Sequence, residues 1–261
     1  MWNQQLVISD FLAKAAIAFC ALAVSLPMSI AHAKTPVTIE LVLAIDTSIS
    51  VDKFEFDLMM AGIASAFRDP EVINRIEEMD GLAVALFQWS SSIDERFVIP
   101  WHLLTDQDSV QSFSIEVENA ERDPDRGFTA IGEAIEFGVR LIDDNNFDGQ
   151  QLKIDVSGDG RNNRGVALEV SHRKASLASI SINGLPIITY SDARNRDIET
   201  YYRNEVIFGP GAFVEIANDY QDFSRAFRRK LLREISALVT LEETAPQGLI
   251  HQANTRRSDF K

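Results

Sequence analysis

The chain has 261 residues, of which 46% are hydrophobic, so it can bury a full core and a wholly disordered chain is excluded. Its formal net charge of -14 at pH 7 argues against a nucleic-acid partner, because binding a phosphate backbone requires clustered Lys and Arg. An acidic chain favours cations instead.

The first 33 residues have the pattern of an export signal. A lysine precedes an apolar stretch from Ala15 to Ile30, and Ala31 and Ala33 form the small-residue ending typical of a cleavage site. The alternative is an uncleaved membrane anchor, but a serine and a proline interrupt a run shorter than the roughly 20 residues needed to span a bilayer. We expect cleavage after residue 33, no stable membrane insertion afterwards, and a periplasmic or secreted protein.

After the signal, buried-type apolar runs alternate with segments of helical period, which is typical of a mostly parallel sheet covered on both faces. The predicted strands are 39–45, 82–89, 97–103, 152–156, 180–186 and 213–217. The predicted helices are one that begins with a capping box at Asp52 and Glu55 and stops near Pro70, then 108–120, 131–142, 166–178, and a last one that carries Phe223 to Ile235.

These elements predict an α/β domain over residues 34–241, followed by a flexible polar tail over 242–261. The sheet is expected to be doubly wound and mostly parallel. One edge strand, 97–103, should be antiparallel, because only a short polar turn separates it from 82–89.

Oxygen-bearing side chains follow two of the predicted strands and open one predicted helix. Asp46, Ser48 and Ser50 come after the first strand, Asp159 comes after 152–156, and Thr129 precedes the helix 131–142. In an open α/β sheet, ligands bind beyond the carboxyl ends of the strands. Each group alone has an ordinary explanation as a turn or a helix cap. Together, as hard oxygen ligands at one sheet edge, they predict a divalent-cation site.

The order and spacing of these five residues closely resemble the metal-ion-dependent adhesion site of the von Willebrand factor A domain. Asp46, Ser48 and Ser50 match its D-x-S-x-S motif, Thr129 its second-loop threonine, and Asp159 its final aspartate. Stretches such as Gly127–Gly132 and Ile154–Gly160 are similar to an exported bacterial branch of this superfamily without an assigned function.

The resemblance implies a Rossmann-type fold and a bound Mg²⁺, with Mn²⁺ or Ca²⁺ as alternatives. It implies that the hydroxyls of Ser48, Ser50 and Thr129 coordinate the ion, with Asp46 and Asp159 acting directly or through water. The vacant coordination position would take an acidic residue of a protein partner. The chemistry agrees, because neutral hydroxyl ligands leave the ion's positive charge available to an incoming carboxylate.

Four further residues are predicted to form a partner-binding rim around this ion. Phe128 stands where better-known adhesive members often have glycine, and it narrows the access to the ion. Tyr201, Tyr202 and Arg203 lie in a polar segment, 190–211, that should emerge at the same sheet edge. Local packing of this segment is the equally weighted alternative.

Two other functions remain open from the sequence. A metal-dependent phosphohydrolase could use the same ion, with Arg161 and Arg164 holding a substrate anion. A structural A domain would use the ion only to stabilise its loops. The mature chain has three histidines, His102, His172 and His251, and none lies in a recognisable nucleophile frame, so we favour a protein that is not an enzyme.

Two secondary patterns complete the sequence analysis. The spacing of Asp144, Asn146, Asp148, Gly149 and Asp155 matches a calcium-binding loop, but its helix-to-strand context favours an ordinary polar turn. Asp155 itself lies in a buried strand and needs a partner, so it is a candidate for supporting the ion loops from behind.

The last helix carries five basic residues opposite its apolar stripe. They are expected to form a solvated face, with contact to an anionic membrane as a weaker alternative. The residues are Arg225, Arg228, Arg229, Lys230 and Arg233.

Overall fold

A five-stranded sheet lies at the centre of the computed structural model, which describes residues 33–125, 127–189 and 197–236. The strands are β1 Thr35–Asp46, β2 Leu82–Trp89, β3 Ile99–Leu104, β4 Phe147–Gly158 and β5 Ile180–Pro186. Their order across the sheet is β3-β2-β1-β4-β5, and every neighbouring pair is parallel except β2 and β3. The predicted fold class, with one antiparallel edge strand, is confirmed.

Seven α-helices are found among the described residues. They are α1 Lys53–Phe67, α2 Pro70–Glu77, α3 Gln107–Glu118, α4 Ile131–Asp143, α5 Leu168–Leu177, α6 Ile198–Tyr201 and α7 Phe223–Ser236. The capping box at Asp52 and Glu55 begins α1 as predicted, since each side chain accepts the other residue's backbone N–H. Pro70 begins α2, a helix that the sequence analysis missed, after Asp69 caps it.

Helices cover both faces of the sheet because the central strand is apolar on both. Ile39, Leu41 and Leu43 of β1 point into one core with α1, α3 and α7, whereas Val42 and Ala44 point into the other with α4 and α5. Alternate side chains of a strand point to opposite faces, so a strand buried on both sides becomes a continuous apolar run. This buried centre places the carboxyl end of β1 at the middle of the sheet edge.

The predicted strand 213–217 is wrong. The segment forms isolated bridges instead of a ladder, with Val214 opposite Gly184 of β5 and Ala217 opposite Ile187, one residue past β5. The buried Asn183 side chain accepts the N–H of Phe213 at 3.1 Å, which takes a donor that a regular strand ladder would use. The segment therefore runs beside β5 without becoming a sixth strand.

The calcium-loop pattern is also excluded by the structure. Asp148 and Gly149 lie inside β4, which begins five residues earlier than predicted, and Asp144 caps the end of α4. The buried Glu40 carboxylate on β1 accepts the Gly149 N–H at 2.7 Å. These contacts hold a strand in place, so the ordinary polar connection favoured from the sequence is the correct interpretation.

A buried ionic cluster corrects two further predictions. Lys230 is fully buried, not on a solvated face, and its Nζ lies 2.6 Å from Asp155 Oδ2 and 2.7 Å from Glu234 Oε1. Asn183 Nδ2 donates to the same Glu234 oxygen at 2.8 Å. Asp155 therefore pairs with a helix across the sheet face and does not support the ion loops.

The other basic residues of α7 are partly exposed. Arg225 and Arg228 form ion pairs with acidic neighbours, Arg229 lies 3.3 Å from Glu215, and Arg233 stacks on the Phe213 ring at 3.8 Å. A solvated face thus describes these four arginines but not Lys230.

Candidate metal centre

The first loop of the site follows β1 and turns back on itself. Asp46 is the last residue of β1 and is buried between β2 and β4. Its Oδ1 accepts the backbone N–H of Ser48 at 2.7 Å, which fixes the turn. The Ser48 and Ser50 hydroxyls then lie 3.2 Å apart, and Ser48 is buried whereas Ser50 faces solvent.

The other two loops bring their oxygens to the same place. Ser50 Oγ donates to Asp159 Oδ1 at 2.7 Å, and Thr129 Oγ1 lies 3.5 Å from Ser48 Oγ. Hydroxyl and carboxylate oxygens from three separate loops therefore form one continuous set of contacts. The structure brings together all five residues that the sequence analysis selected.

Two asparagines that the sequence analysis missed join the second and third loops. Asn163 Oδ1 accepts the Thr129 N–H at 3.0 Å, and the Asn163 N–H donates to the Thr129 carbonyl at 2.9 Å. Asn162 Oδ1 accepts the N–H of Gly132 at 3.2 Å, in the first turn of α4. Their position just after Asp159 was the sequence signal that could have identified them, because amide side chains readily form hydrogen bonds with backbone groups at loop and helix ends.

Two glycines allow the loops to approach this closely. A Cβ on Gly158 would lie 2.6 Å from Asp46 Oδ2, and one on Gly160 would lie 2.9 Å from Thr129 Oγ1. Both distances are too short for ordinary packing. The Gly158-Asp159-Gly160 sequence is therefore required for the three loops to share one site.

Asp46 has an environment that disfavours its ionised form. Its Oδ2 is buried and has no hydrogen-bond partner among the described residues. Burial, followed by the charge of Asp159, raises the pKa of Asp46 to about 7. A buried carboxylate oxygen without a partner, beside three hydroxyls and a second carboxylate, fits the ligand set of a hard divalent cation.

This donor set contains only two carboxylates. No group of three or more His, Cys, Asp or Glu side chains that could hold a metal occurs in the described part of the chain. The three hydroxyls of Ser48, Ser50 and Thr129 would have to supply the remaining donors to a bound ion.

Arg122 braces the first loop, and the sequence analysis did not identify it. Its guanidinium donates to the carbonyls of Thr47 at 2.7 Å and Val51 at 3.0 Å, and to the Asp123 carbonyl at 2.7 Å. The two carbonyls of the first loop lie on either side of Ser48 and Ser50. One planar fork of donors therefore spans the loop that carries the hydroxyls.

The predicted rim residues have different environments. Tyr202 is fully buried. Its ring packs closely on β5, where a Cβ on Gly184 would lie 2.7 Å from the ring. The prediction that Tyr202 belongs to a solvent-facing rim is therefore wrong. Tyr201 is half-buried and accepts the Asn162 N–H at 3.2 Å, while the exposed Arg203 pairs with Glu199 at 2.9 Å.

Tyr220 is a second buried tyrosine, and the charges of Asp159 and Asp46 act on its phenol. Burial, reinforced by those two carboxylates, raises the pKa of its phenol. Tyr202 has its pKa raised by burial and by the same two charges. Both phenols therefore stay neutral beside the carboxylates.

Three of the residues considered for catalysis have structural partners. His102 lies 2.9 Å from Glu116, and His172 contacts the Val206 carbonyl at 3.1 Å and stacks on Phe208. Arg161 pairs with Asp197 and lies over the Tyr201 ring. His251 is outside the described residues, as are residues 190–196, the predicted tail and the predicted export signal apart from Ala33.

The sheet order, the helices on both faces and the site at the strand ends define a von Willebrand factor A-like fold, as the resemblance implied. The chain belongs to the family described as "Protein of unknown function (DUF1194)", whose model matches residues 36–239. No curated protein matches the sequence.

Solved structures share the fold at low sequence identity. The pilus adhesin SpaC of Lactobacillus rhamnosus GG has a TM-score of 0.55 and 11% identity over 76% of this chain and 30% of its own. A von Willebrand factor type A protein from Catenulispora acidiphila has a TM-score of 0.52 and 16% identity over 76% and 42%.

Proximal thread matrix protein 1 from the mussel byssus, in a structure described as having a zinc-occupied MIDAS motif, has a TM-score of 0.53 and 14% identity over 78% of this chain and 49% of its own. The present chain thus spans less than half the length of each of these three proteins. Among the described residues, no helix has the length and apolar character needed to cross a membrane.

Proposed function

We propose that this protein is an exported, adhesion-type binding module that engages a protein partner through a divalent cation. Asp46, Ser48, Ser50, Thr129 and Asp159 would hold the ion, with Mg²⁺ preferred and Mn²⁺ or Ca²⁺ as alternatives. A bound ion would supply an electrophilic position for a carboxylate of the partner. The chain is not proposed to be an enzyme.

The observation that carries this proposal is the environment of Asp46. Its Oδ2 is buried without a hydrogen-bond partner, at a point where three hydroxyls and Asp159 converge. Leaving a buried carboxylate oxygen unsatisfied costs free energy, and a divalent cation would remove that cost. Three of the five donors are neutral hydroxyls, so the ion would be surrounded by fewer charges than in an all-carboxylate cage and could accept a partner's carboxylate.

The comparisons support the binding function without assigning a partner. One structure of similar fold is a pilus adhesin, and another is described with zinc in a MIDAS motif. The proposed organisation is a cleaved signal over 1–33, a binding domain over 34–241 and a tail over 242–261, in a periplasmic or secreted protein. Phe128, Tyr201 and Arg203 remain the proposed rim.

The test is capture of partner proteins from a periplasmic or culture extract. The immobilised protein is used with Mg²⁺, with EDTA, and as Asp46→Ala, with Asp108→Ala on the exposed first turn of α3 as the matched control. We expect a set of proteins that wild type and Asp108→Ala retain in Mg²⁺ only, and that Asp46→Ala does not retain. The same proteins in all four samples would contradict an ion-bridged contact.

Phosphohydrolase activity is the alternative to exclude in the same preparation. Arg161, which could have held a substrate anion, is engaged by Asp197 and Tyr201. We expect no phosphate release from generic esters with Mg²⁺ or Mn²⁺. Sustained release that Asp46→Ala abolishes would replace the binding function with a hydrolytic one.

A further inference from the structure

Two large apolar side chains are exposed directly beside the proposed ion ligands. Ile49 lies between Ser48 and Ser50 and is 61% exposed, and Phe128 precedes Thr129 and is 60% exposed. Few large hydrophobic side chains are exposed in the described part of the chain, and only four of them are 60% exposed or more. The full set is Ile49, Phe54, Leu103, Ile115, Phe128 and Leu177.

The backbones that carry these two side chains are joined to each other. The Ile49 N–H donates to the Gly127 carbonyl at 2.9 Å, so the first and second loops run side by side at this point. Each apolar residue is therefore within one residue of a proposed ligand, and the two lie on neighbouring loops of the same site.

The backbone at Gly127 and Phe128 packs closely against the turn between β2 and β3. The Phe128 N–H donates to Ser91 Oγ, and a Cβ on Gly127 would lie only 2.1 Å from that oxygen. A glycine is therefore needed for the loop to pack on the β2–β3 turn. An exposed side chain on a packed backbone requires less backbone ordering on binding, which suits an interface anchor.

We infer that Ile49 and Phe128 form an apolar collar around the ion, and that the partner's acidic residue is flanked by apolar side chains. This inference rests on the proposed function, because the ion recognises the carboxylate and the collar recognises its neighbours. A carboxylate with only polar neighbours would satisfy the ion and leave the collar in water. The site therefore selects the sequence context of the acidic residue as well as its charge.

The experiment compares two synthetic peptides, acetyl-Leu-Asp-Phe-amide and acetyl-Ser-Asp-Ser-amide. Each is titrated into the ¹⁵N-labelled protein at saturating Mg²⁺, and affinities are taken from chemical-shift changes. The proteins are wild type, Ile49→Ser with Phe128→Ser, and Leu177→Ser. Leu177 is the matched control, because it is 89% exposed and lies outside the site. It is the last residue of α5, which leads into the start of β5, whereas the site lies at the opposite ends of the strands.

We expect wild type and Leu177→Ser to bind the Leu-Asp-Phe peptide about tenfold more tightly than the Ser-Asp-Ser peptide, from the apolar area that the collar covers. The double variant should bind the two peptides equally. Mg²⁺ titrations of each variant come first. If the double variant requires more Mg²⁺ than can be supplied, Phe128→Ser alone, which leaves the first loop intact, takes its place.

The failures of the two proposals are distinguishable. Equal binding of both peptides by wild type, or a preference that survives in the double variant, would overturn the collar and leave the ion bridge standing. Binding of neither peptide by wild type, or binding that EDTA does not weaken, would overturn the ion bridge and the collar with it.

Discussion

Two sites in this domain each bury a pair of carboxylates, Asp155 with Glu234 and Asp46 with Asp159, and they differ in where the compensating positive charge comes from. At the first, Lys230 lies 2.6 Å from Asp155 and 2.7 Å from Glu234. At the second, four residues further along the chain, Asp159 joins Asp46, whose Oδ2 has no hydrogen-bond partner among the described residues. The first site contains its own cation, whereas the second is the site that we propose receives a divalent cation.

The pKa values of the two aspartates do not separate the structural ionic cluster from the proposed metal site, but their surroundings do. The pKa of Asp155 is raised by burial to about 7, and the charge of Lys230 opposes that rise. The pKa of Asp46 is also raised to about 7, but its second cause is the like charge of Asp159. A raised pKa alone does not distinguish the sites, and the partner that each carboxylate faces does.

The largest effect is expected from removing the cation of the first site. Lys230→Met should lower the free energy of unfolding by about 3–5 kcal/mol, because it leaves Asp155 and Glu234 buried without their ammonium partner. Urea denaturation followed by circular dichroism measures the change. Arg229→Met, on the same helix but largely exposed, is the control and should change stability by less than about 1 kcal/mol.

Equal effects of these two substitutions would mean that the buried cluster does not stabilise the fold. Adding Asp155→Leu to Lys230→Met should recover part of the loss, since it removes one of the two uncompensated carboxylates.

At the second site, neutralising the Asp46 carboxylate should raise the free energy of unfolding, which is the opposite of the effect at the first site. In EDTA, we expect wild-type stability to fall as pH rises from about 4 to 7, because the raised pKa of Asp46 means that the folded state holds a proton that the unfolded state releases. Asp46→Asn should remove roughly 2–4 kcal/mol of that fall, so it should be more stable than wild type at pH 8 and similar at pH 4.

Asp155 contributes a fall of the same sign in wild type and in Asp46→Asn, so the difference between their two curves isolates Asp46. Saturating Mg²⁺ should remove the stability advantage of Asp46→Asn at pH 8. The reason is that the bound ion, in place of a proton, compensates the charge of the wild-type carboxylate. Parallel curves for the two proteins in EDTA would show that Asp46 is not destabilised when ionised.

The smallest effect is expected from the brace on the first loop. Arg122→Gln should weaken Mg²⁺ binding about fivefold, because the Thr47 and Val51 carbonyls lose the donor that spans them. Arg122→Lys should weaken it as much, since an ammonium cannot reproduce the planar fork. Isothermal titration with Mg²⁺ measures both, and the exposed Arg203→Gln is the control.

Mg²⁺ affinity that lysine restores would show that the charge of residue 122 matters and its geometry does not. Tighter binding in Arg122→Gln would show that the guanidinium only repels the ion.

The parts of the fold and site that could be predicted are those determined by local pattern. The buried run before Asp46 predicted the central strand, and the positions of Thr129 at the start of a helix and of Asp159 after a strand predicted their convergence. The wrong predictions concern residues whose environment depends on distant partners. Lys230 has the spacing of a solvated face, and only the packing of α7 against the sheet, which brings Asp155 of β4 to 2.6 Å, reveals that it is buried.

The same limit applies to Tyr202 and Arg122. An aromatic residue in a polar segment has the composition of an interface, and only the packing against Gly184 reveals that its ring is buried. Arg122 contacts the first loop through backbone carbonyls, which have no sequence signal.

The most direct test of the central claim is a Mg²⁺ titration of the metal-free domain by isothermal calorimetry. The claim predicts one Mg²⁺ per chain, with binding abolished in Asp46→Ala, weakened in Thr129→Ala, and unchanged in Asp108→Ala. Absence of binding to the wild type, or the same affinity in Asp46→Ala, would contradict it.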